Sequence, residues 1–185
     1  KRVGIIRFPG SNCDYDAFHS VATGLNMEAF FIWHKDDELG GMDALILPGG
    51  FSYGDYLRPG AIACFSKIMP CVKKFANEGG VVLGICNGFQ ILCEAGLLPG
   101  CLVKNTCMEF RCHRQDLAVE NSSPWFNRSF LGDYLSVPIA HGSGNYRIDI
   151  QELEELEANN QILFRYTGEK GNPNGSINQI AGIRN

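Results

Sequence analysis

The hydrophobic residues of the first hundred positions fall in short, nearly continuous runs separated by polar, glycine-rich segments. Runs of this length, apolar on both faces, are typical of parallel strands that are covered on both sides. They predict four strands, at residues 3–8, 28–33 and 44–47 and within the segment "GGVVLGI" at 79–85.

The segments between these strands have the spacing of helices, at residues 15–23, 61–77 and 89–95. Asn12 or Asp14 is placed to cap the first helix, and Pro70 is expected to kink or break the second. Strands that alternate with helices indicate an α/β fold with a central, mostly parallel sheet and helices on both faces. The loops after such strands gather at one edge of the sheet, where ligands bind.

After Gly100 the pattern changes to segments typical of antiparallel strands, at residues 101–120, 135–149, 162–168 and 180–185. The stretch "QELEELEANN" at 151–160 predicts a short acidic helix with a solvated face. A smaller antiparallel section is therefore expected in the C-terminal half. No repeat or linker divides the chain, which favours a single domain over residues 1–185.

Composition narrows the class of protein. With 45% hydrophobic residues and a net charge of −4, the chain is able to form a core and lacks the basic stripe of a nucleic-acid binder. No apolar run approaches the ~20 residues that cross a membrane, and no secretory signal is evident. The eight cysteines are then expected to be free thiols of a cytoplasmic protein. The densest group of possible metal ligands, Cys107, Cys112 and His113, lacks closely paired ligands, so no metal site is predicted.

The segment "GICNGFQ" carries the strongest chemical signal. Cys86 stands between Gly84 and Gly88 where a buried strand meets a helix, as in the strained nucleophile turn of hydrolases. The N–H of Asn87 would point at a developing oxyanion, and "PGG" after the third strand could add the N–H of Gly49 or Gly50. The helix N-terminus is expected to lower the pKa of the thiol. The competing interpretation is a structural cysteine in a tight turn.

A thiolate beside an oxyanion hole suits acyl transfer through a thioester. Release of an amine also needs a proton donor, usually histidine. Of the four histidines, His141 looks most like a site residue, because proline and glycine bracket it. Nothing in the spacing places His141 beside Cys86, and His19, His34 and His113 have weaker claims.

"GICNGFQ" resembles the nucleophile motif of class I glutamine amidotransferases. The segments "RFPGSNCDYD", "LPGGFSYGDYLRPGAIA", "PIAHG", "NPNGS" and "IAGI" extend the match along the whole chain. Together these segments are similar to the glutaminase subunits of phosphoribosylformylglycinamidine synthase, an enzyme of de novo purine synthesis.

The resemblance implies that Cys86 attacks the side-chain amide of glutamine and that Gln90 helps to hold this substrate. Asn105 and Phe110 fall where the family contacts the backbone groups of glutamine. The ammonia would pass to a larger synthetase subunit, which converts formylglycinamide ribonucleotide into formylglycinamidine ribonucleotide. A third small subunit joins the bacterial assembly. ATP and magnesium would belong to the synthetase, and this subunit would need no cofactor.

The chain departs from the family pattern in two places. The family's catalytic histidine and glutamate follow "IAGI", but the sequence stops at Asn185, so we expect a domain that lacks its C-terminal end and has little activity in this form. The acid of the family's "PIAHGEG" is Ser143 here. Two alternatives therefore stay open: a non-catalytic pseudo-amidotransferase that serves assembly, and a related stand-alone cysteine hydrolase.

Overall fold

The computed structural model describes residues 1–121, 132–169 and 171–185. The chain forms two compact units, Lys1–Leu97 and Leu98–Asn185. Each has its own sheets and is described separately.

The first unit is built on a parallel sheet of four strands in the order β2-β1-β3-β4. Its strands are β1 (Arg2–Arg7), β2 (Glu28–Trp33), β3 (Ala44–Leu47) and β4 (Val81–Gly84). Ile5 of the central strand β1 lies opposite Phe31 of β2 and Ile46 of β3. Ile5, Leu45 and Leu47 have no solvent exposure, because these strands are covered on both faces. The four predicted strands are confirmed.

The first helix begins differently from the prediction. Helix α1 (Asp14–His19) has Cys13 at its N-cap position without a side-chain capping bond, and it continues into a π-helical turn, Ser20–Gly24. Neither Asn12 nor Asp14 is its cap. Asp14 is buried and is the first residue of the helix rather than its cap. Its Oδ2 forms an ion pair with the partly buried Arg7 at 2.5 Å, and its Oδ1 accepts a hydrogen bond from the N–H of Tyr15 at 2.9 Å.

The predicted helix at 61–77 is two elements. A short 3₁₀ turn, Ala63–Phe65, precedes helix α2 (Met69–Asn77). Pro70 lies in the first turn of α2, so it starts this helix rather than kinking a longer one. Proline is tolerated there because the first amides of a helix have no carbonyl partner to lose. Helix α3 (Asn87–Glu94) begins two residues before the predicted start and ends at Ala95.

The second unit contains six described strands in two antiparallel sheets. The larger sheet has the order β10-β9-β6-β7, and a second sheet pairs β5 with β8. The strands are β5 (Cys101–Val103), β6 (Arg111–Val119), β7 (Tyr134–His141), β8 (Asn145–Arg147), β9 (Ile162–Thr167) and β10 (Ile180–Ile183).

The acidic segment forms helix α4 (Ile150–Ala158), as predicted. The side chain of Asp149 caps it by accepting a hydrogen bond from the N–H of Glu152 at 2.9 Å. The core of this unit includes Tyr146 and Ile162, of which at most 2% is exposed. The α/β class predicted from the sequence is confirmed.

Candidate active site

The turn between β4 and α3 holds Cys86 in a left-handed backbone conformation, with φ 52° and ψ −107°. Such a conformation costs about 1–3 kcal/mol for a residue other than glycine and persists only where its surroundings impose it. The packing around Gly88 imposes it here, because a Cβ added at this glycine would lie 1.9 Å from the carbonyl oxygen of Leu47. A Cβ at Gly84 would lie 2.7 Å from the carbonyl oxygen of Gly88. The strained turn predicted from "GICNG" is confirmed.

Two backbone amides act on the Cys86 thiol. Those of Asn87 and Gly50 each oppose the rise of its pKa and so favour its anionic form. The sequence left Gly49 and Gly50 as alternatives, and Gly50 is the one whose amide acts on the thiol pKa. Gly49 lies between two thiols instead, since a Cβ there would be 3.4 Å from Cys13 Sγ and 3.5 Å from Cys86 Cβ. The oxyanion-hole roles of Asn87 and Gly50 stay predictions.

The pKa of Cys86 is raised above its ordinary value, contrary to the prediction from the helix N-terminus. Desolvation is the largest cause, although part of the side chain is open to solvent. The negative charges of Cys13 and Asp55 raise the pKa further, while the two amides oppose them. At neutral pH the thiol is therefore mostly protonated, and a neighbouring base or a bound substrate has to favour the thiolate.

Gly50 is fixed by the loop that follows β1. Its φ is 143°, and a Cβ there would lie 2.5 Å from the amide nitrogen of Asn12 and 2.6 Å from the carbonyl oxygen of Gly10. The N–H of Phe51 donates to the same Gly10 carbonyl at 2.8 Å. The loops after β1, β3 and β4 therefore meet at one edge of the sheet, as predicted for parallel strands.

A side-chain network that the sequence did not indicate links these loops. Asn87 is 1% exposed, and its Oδ1 accepts a hydrogen bond from the N–H of Ser52 at 3.1 Å. Its Nδ2 donates to Gln90 Oε1 at 2.9 Å. The sequence suggested only the backbone of Asn87, because a polar residue in a first helical turn is ordinary and its partner lies 35 positions away.

Gln90 is 7% exposed, and the bond from Asn87 fixes the orientation of its amide. This order is useful for a residue that recognises a substrate amide, since little rotamer freedom remains to be lost on binding. The role of Gln90 in holding glutamine stays a prediction.

Asn105 and Phe110 belong to the second unit. The Asn105 side chain is fully buried: Nδ2 donates to the carbonyl oxygens of Glu109 and His141, and Oδ1 accepts from the N–H of Gly144 at 3.0 Å. Phe110 is 54% exposed. Asn105 thus organises the loops of its own unit, and the contacts of both residues with glutamine stay predictions.

The four histidines have different surroundings. His34 is buried, and its Nδ1 pairs with the hydroxyl of Tyr53 at 2.7 Å. His141 ends β7 in the second unit, where burial lowers its pKa. Its Nδ1 is buried without a hydrogen-bond partner among the described residues. His19 is exposed at the end of α1, and His113 lies on β6. The sequence left the role of His141 open, and none of the four histidines was predicted to be the catalytic base.

All eight cysteines are free. Within residues 1–121, 132–169 and 171–185, no group of three or more His, Cys, Asp or Glu side chains is arranged to hold a metal ion. In the same ranges, the structure contains no helix of the length and apolar character that a membrane crossing requires.

The parallel sheet and the strained cysteine turn between β4 and α3 fit the fold of a glutamine amidotransferase, and the comparisons show that class. The family model described as the CobB/CobQ-like glutamine amidotransferase domain matches residues 1–185. The chain belongs to the family of PurQ subunits of phosphoribosylformylglycinamidine synthase. The family expected from the sequence motifs is therefore confirmed.

The PurQ subunit of Moorella thermoacetica is 54% identical to the chain, covering all of it and 81% of the relative. The PurQ subunit of Synechococcus elongatus is 55% identical, covering 99% of the chain and 82% of the relative. A chain of the PurLQS structure from Thermotoga maritima has a TM-score of 0.84 and 43% identity, covering 98% of this chain and 80% of that one. A GMP synthase subunit from Thermoplasma acidophilum, described as putative, shares the fold with a TM-score of 0.56 at 19% identity.

Proposed function

We propose that this protein is the glutaminase subunit of phosphoribosylformylglycinamidine synthase and that Cys86 is its nucleophile. The Cys86 thiolate attacks the amide carbon of the glutamine side chain, and the carbonyl oxygen becomes an oxyanion. The N–H groups of Asn87 and Gly50 stabilise this oxyanion. The C–N bond then breaks, ammonia leaves, and a glutamyl thioester remains on Cys86. Attack by water on the thioester releases glutamate and restores the thiol.

The observation that supports this mechanism best is the pair of amides at the thiol. The backbone amides of Asn87 and Gly50 both act on the Cys86 thiol in the free protein, which supports donors that are positioned before a substrate arrives. Preorganised donors of this kind contribute a factor of about 10²–10³ to the turnover rate. The leaving ammonia also needs a proton donor, a role that histidine usually fills in such reactions.

The names of the relatives support the partner assignment. The relatives that match over the whole chain are subunits of a synthase, and the matching chain from Thermotoga maritima belongs to a PurLQS structure. In this proposal ammonia passes to the larger synthetase subunit, and a third small subunit completes the assembly. ATP and magnesium belong to the synthetase. The eight free cysteines suit a reducing compartment, which supports a cytoplasmic location.

A nitrogen-source experiment tests the proposal. In the assembled complex, Cys86→Ser is expected to abolish amidine formation from glutamine but to leave formation from ammonium salts intact. Cys112→Ser, an exposed thiol in the second unit, is the matched control and should retain both activities. Equal use of glutamine by wild type and Cys86→Ser would contradict the proposal and favour a subunit that serves assembly alone.

A further inference from the structure

The turn Ser52–Asp55, which follows the Gly50 loop, has an unusual backbone. Tyr53, Gly54 and Asp55 all have left-handed φ values, of 55°, 73° and 53°. Two of these three residues carry side chains that disfavour the left-handed region, so the neighbouring structure must hold the turn. Such strain is concentrated at binding and catalytic sites. The turn is therefore a candidate for contact with a ligand.

Contacts on both sides fix the turn. The Tyr53 hydroxyl lies 2.7 Å from His34 Nδ1 and 2.9 Å from Ser66 Oγ, so the phenol is anchored beneath the loop. At the other end, the N–H of Ser52 donates to the Asn87 side chain at 3.1 Å. Asn87 directly follows the nucleophile. The position of the turn is therefore coupled to the catalytic turn.

Two polar atoms of this turn lack partners. Ser52 Oγ and Asp55 Oδ1 are both buried without a hydrogen bond to any residue that the structure describes. Ser52 is only 3% exposed. Buried polar groups in proteins are almost always hydrogen-bonded, so two unpartnered atoms within four residues call for an ordered water or a ligand as partner.

Within residues 1–121, 132–169 and 171–185, Asp55 forms no ion pair with a cationic side chain. Arg58 is the cationic residue nearest to Asp55 along the chain, and it forms a bidentate ion pair with Glu94. Burial alone raises the pKa of Asp55. Its negative charge in turn raises the pKa of Cys86, so the carboxylate lies within electrostatic reach of the nucleophile.

We propose that the Asp55 carboxylate binds the α-ammonium group of glutamine and thereby selects an amino acid over a simple amide. This inference rests on the proposed function, since it concerns the substrate of the same site. The substrate carries one cation, its α-ammonium group. A half-buried carboxylate whose Oδ1 is buried without a partner among the described residues is the group that would recognise it. The Ser52 hydroxyl, on the same turn, is available as a second acceptor for the ammonium group.

A purely structural role for Asp55 makes a different prediction. If the carboxylate only maintained the strained turn, its removal would affect every substrate or inhibitor equally, whether or not the molecule carried an ammonium group. The inference therefore requires a pair of probes that differ in this group alone.

The probes are 6-diazo-5-oxo-L-norleucine, a glutamine analogue that alkylates nucleophilic cysteines with loss of N₂, and its counterpart without the amino group. Labelling rates at Cys86 are measured by mass spectrometry on the intact protein. The variants are Asp55→Asn, because asparagine tolerates a left-handed backbone, and Asp55→Gly, because glycine favours one. Asp16→Asn, which removes a charge from the exposed face of α1, is the matched control.

Wild type and Asp16→Asn should label faster with the amino-bearing probe by a factor of about 10–100, the usual effect of a buried ion pair. Both Asp55 variants should lose this preference while still reacting with the probe that lacks the amino group. In both Asp55 variants, iodoacetamide should also label Cys86 at a lower pH than in wild type, because the negative charge that raises the Cys86 pKa has been removed. A preference that survives in either Asp55 variant, or that is missing in wild type, would overturn the inference alone. Failure of both probes to label Cys86 in wild type would overturn the proposed function as well.

Discussion

At the residue scale, Gly88 shows how a missing side chain positions the proposed nucleophile, Cys86. Its Cα lies so close to strand β3 that any Cβ would overlap the Leu47 carbonyl, at 1.9 Å. This close approach brings α3 against the sheet and leaves Cys86 at the top of the turn. The obstacle is backbone rather than a flexible side chain, so a larger residue forces the helix to move.

Gly88→Ala is therefore expected to lower the free energy of unfolding by about 2 kcal/mol or more, as overpacking of a tight contact does. Because the helix carries the Asn87 amide, labelling of Cys86 by the glutamine analogue should also slow. Thermal unfolding and the labelling rate measure the two effects. Gly24→Ala is the control, since a Cβ at Gly24 meets nothing within 4 Å. Equal stability of the two variants would contradict the packing argument.

The thiols of Cys86 and Cys107 should differ in reactivity in the free protein. Burial raises the pKa of Cys86, whereas the Glu109 amide and the Arg111 guanidinium lower the pKa of Cys107. A lowered pKa means more thiolate at pH 7, so Cys107 should react faster with iodoacetamide although its side chain is less exposed than that of Cys86.

Mass spectrometry of partly labelled protein gives both rates in one sample. The ratio of the Cys107 labelling rate to the Cys86 labelling rate should be highest near neutral pH. It should fall as the pH rises past the ordinary pKa of a thiol. Arg111→Gln should slow the labelling of Cys107 and leave the labelling rate of Cys86 unchanged. Faster labelling of Cys86 at pH 7 would show that the amides at its thiol outweigh its desolvation.

Residues of the site differed in how far the sequence predicted them. Cys86 was predictable because glycines at fixed spacing report a tight turn, and the turn is a local feature. The bond from Asn87 to Ser52 and the unpartnered carboxylate of Asp55 were not, because they arise from segments more than 30 positions apart in sequence. The predicted direction of the Cys86 pKa shift was wrong because desolvation depends on the folded environment, and no local sequence pattern encodes it.

At the element scale, α4 shows how one side chain defines where a helix begins. Asp149 has an extended backbone, and its Oδ1 accepts from the N–H of Glu152 at 2.9 Å. The bond satisfies one of the free amides of the first turn, and the negative charge interacts favourably with the positive end of the helix.

Asp149→Ala should therefore destabilise the protein by about 1 kcal/mol, the usual cost of losing a cap. Glu154→Ala removes an exposed carboxylate of the same helix without removing a capping bond, so it should change stability little. Urea unfolding of both variants tests the difference. Similar midpoints for the two would mean that the cap does not stabilise the folded state.

Strands were easier to predict than helix ends. The strands of the first unit are continuous apolar runs between glycine and proline residues, and this pattern has few other structural solutions. Pro70 was misplaced because proline breaks a helix in its interior but starts one in its first turn. Asp14 was misplaced because the helix begins at Asp14 itself, one residue earlier than predicted, and helix ends are poorly defined by local sequence.

At the scale of the whole molecule, the family was predictable because its motifs occur in order along the entire chain. The division into Lys1–Leu97 and Leu98–Asn185 was not. Boundaries between compact units are usually recognised by polar or flexible linkers, and the boundary here reads "GLLPG", with two leucines at the junction.

The left-handed backbone at Cys86 means that the molecule is less stable than its own scaffold allows. A residue chosen for chemistry occupies a position that glycine would fill without strain. Cys86→Gly should therefore raise the free energy of unfolding by about 1 kcal/mol relative to Cys86→Ala, which loses the sulfur but keeps a Cβ. Thermal unfolding of the two inactive variants measures the difference, and equal melting temperatures would contradict it. Under the proposed function, natural selection has held stability below its attainable maximum at the position of the proposed nucleophile.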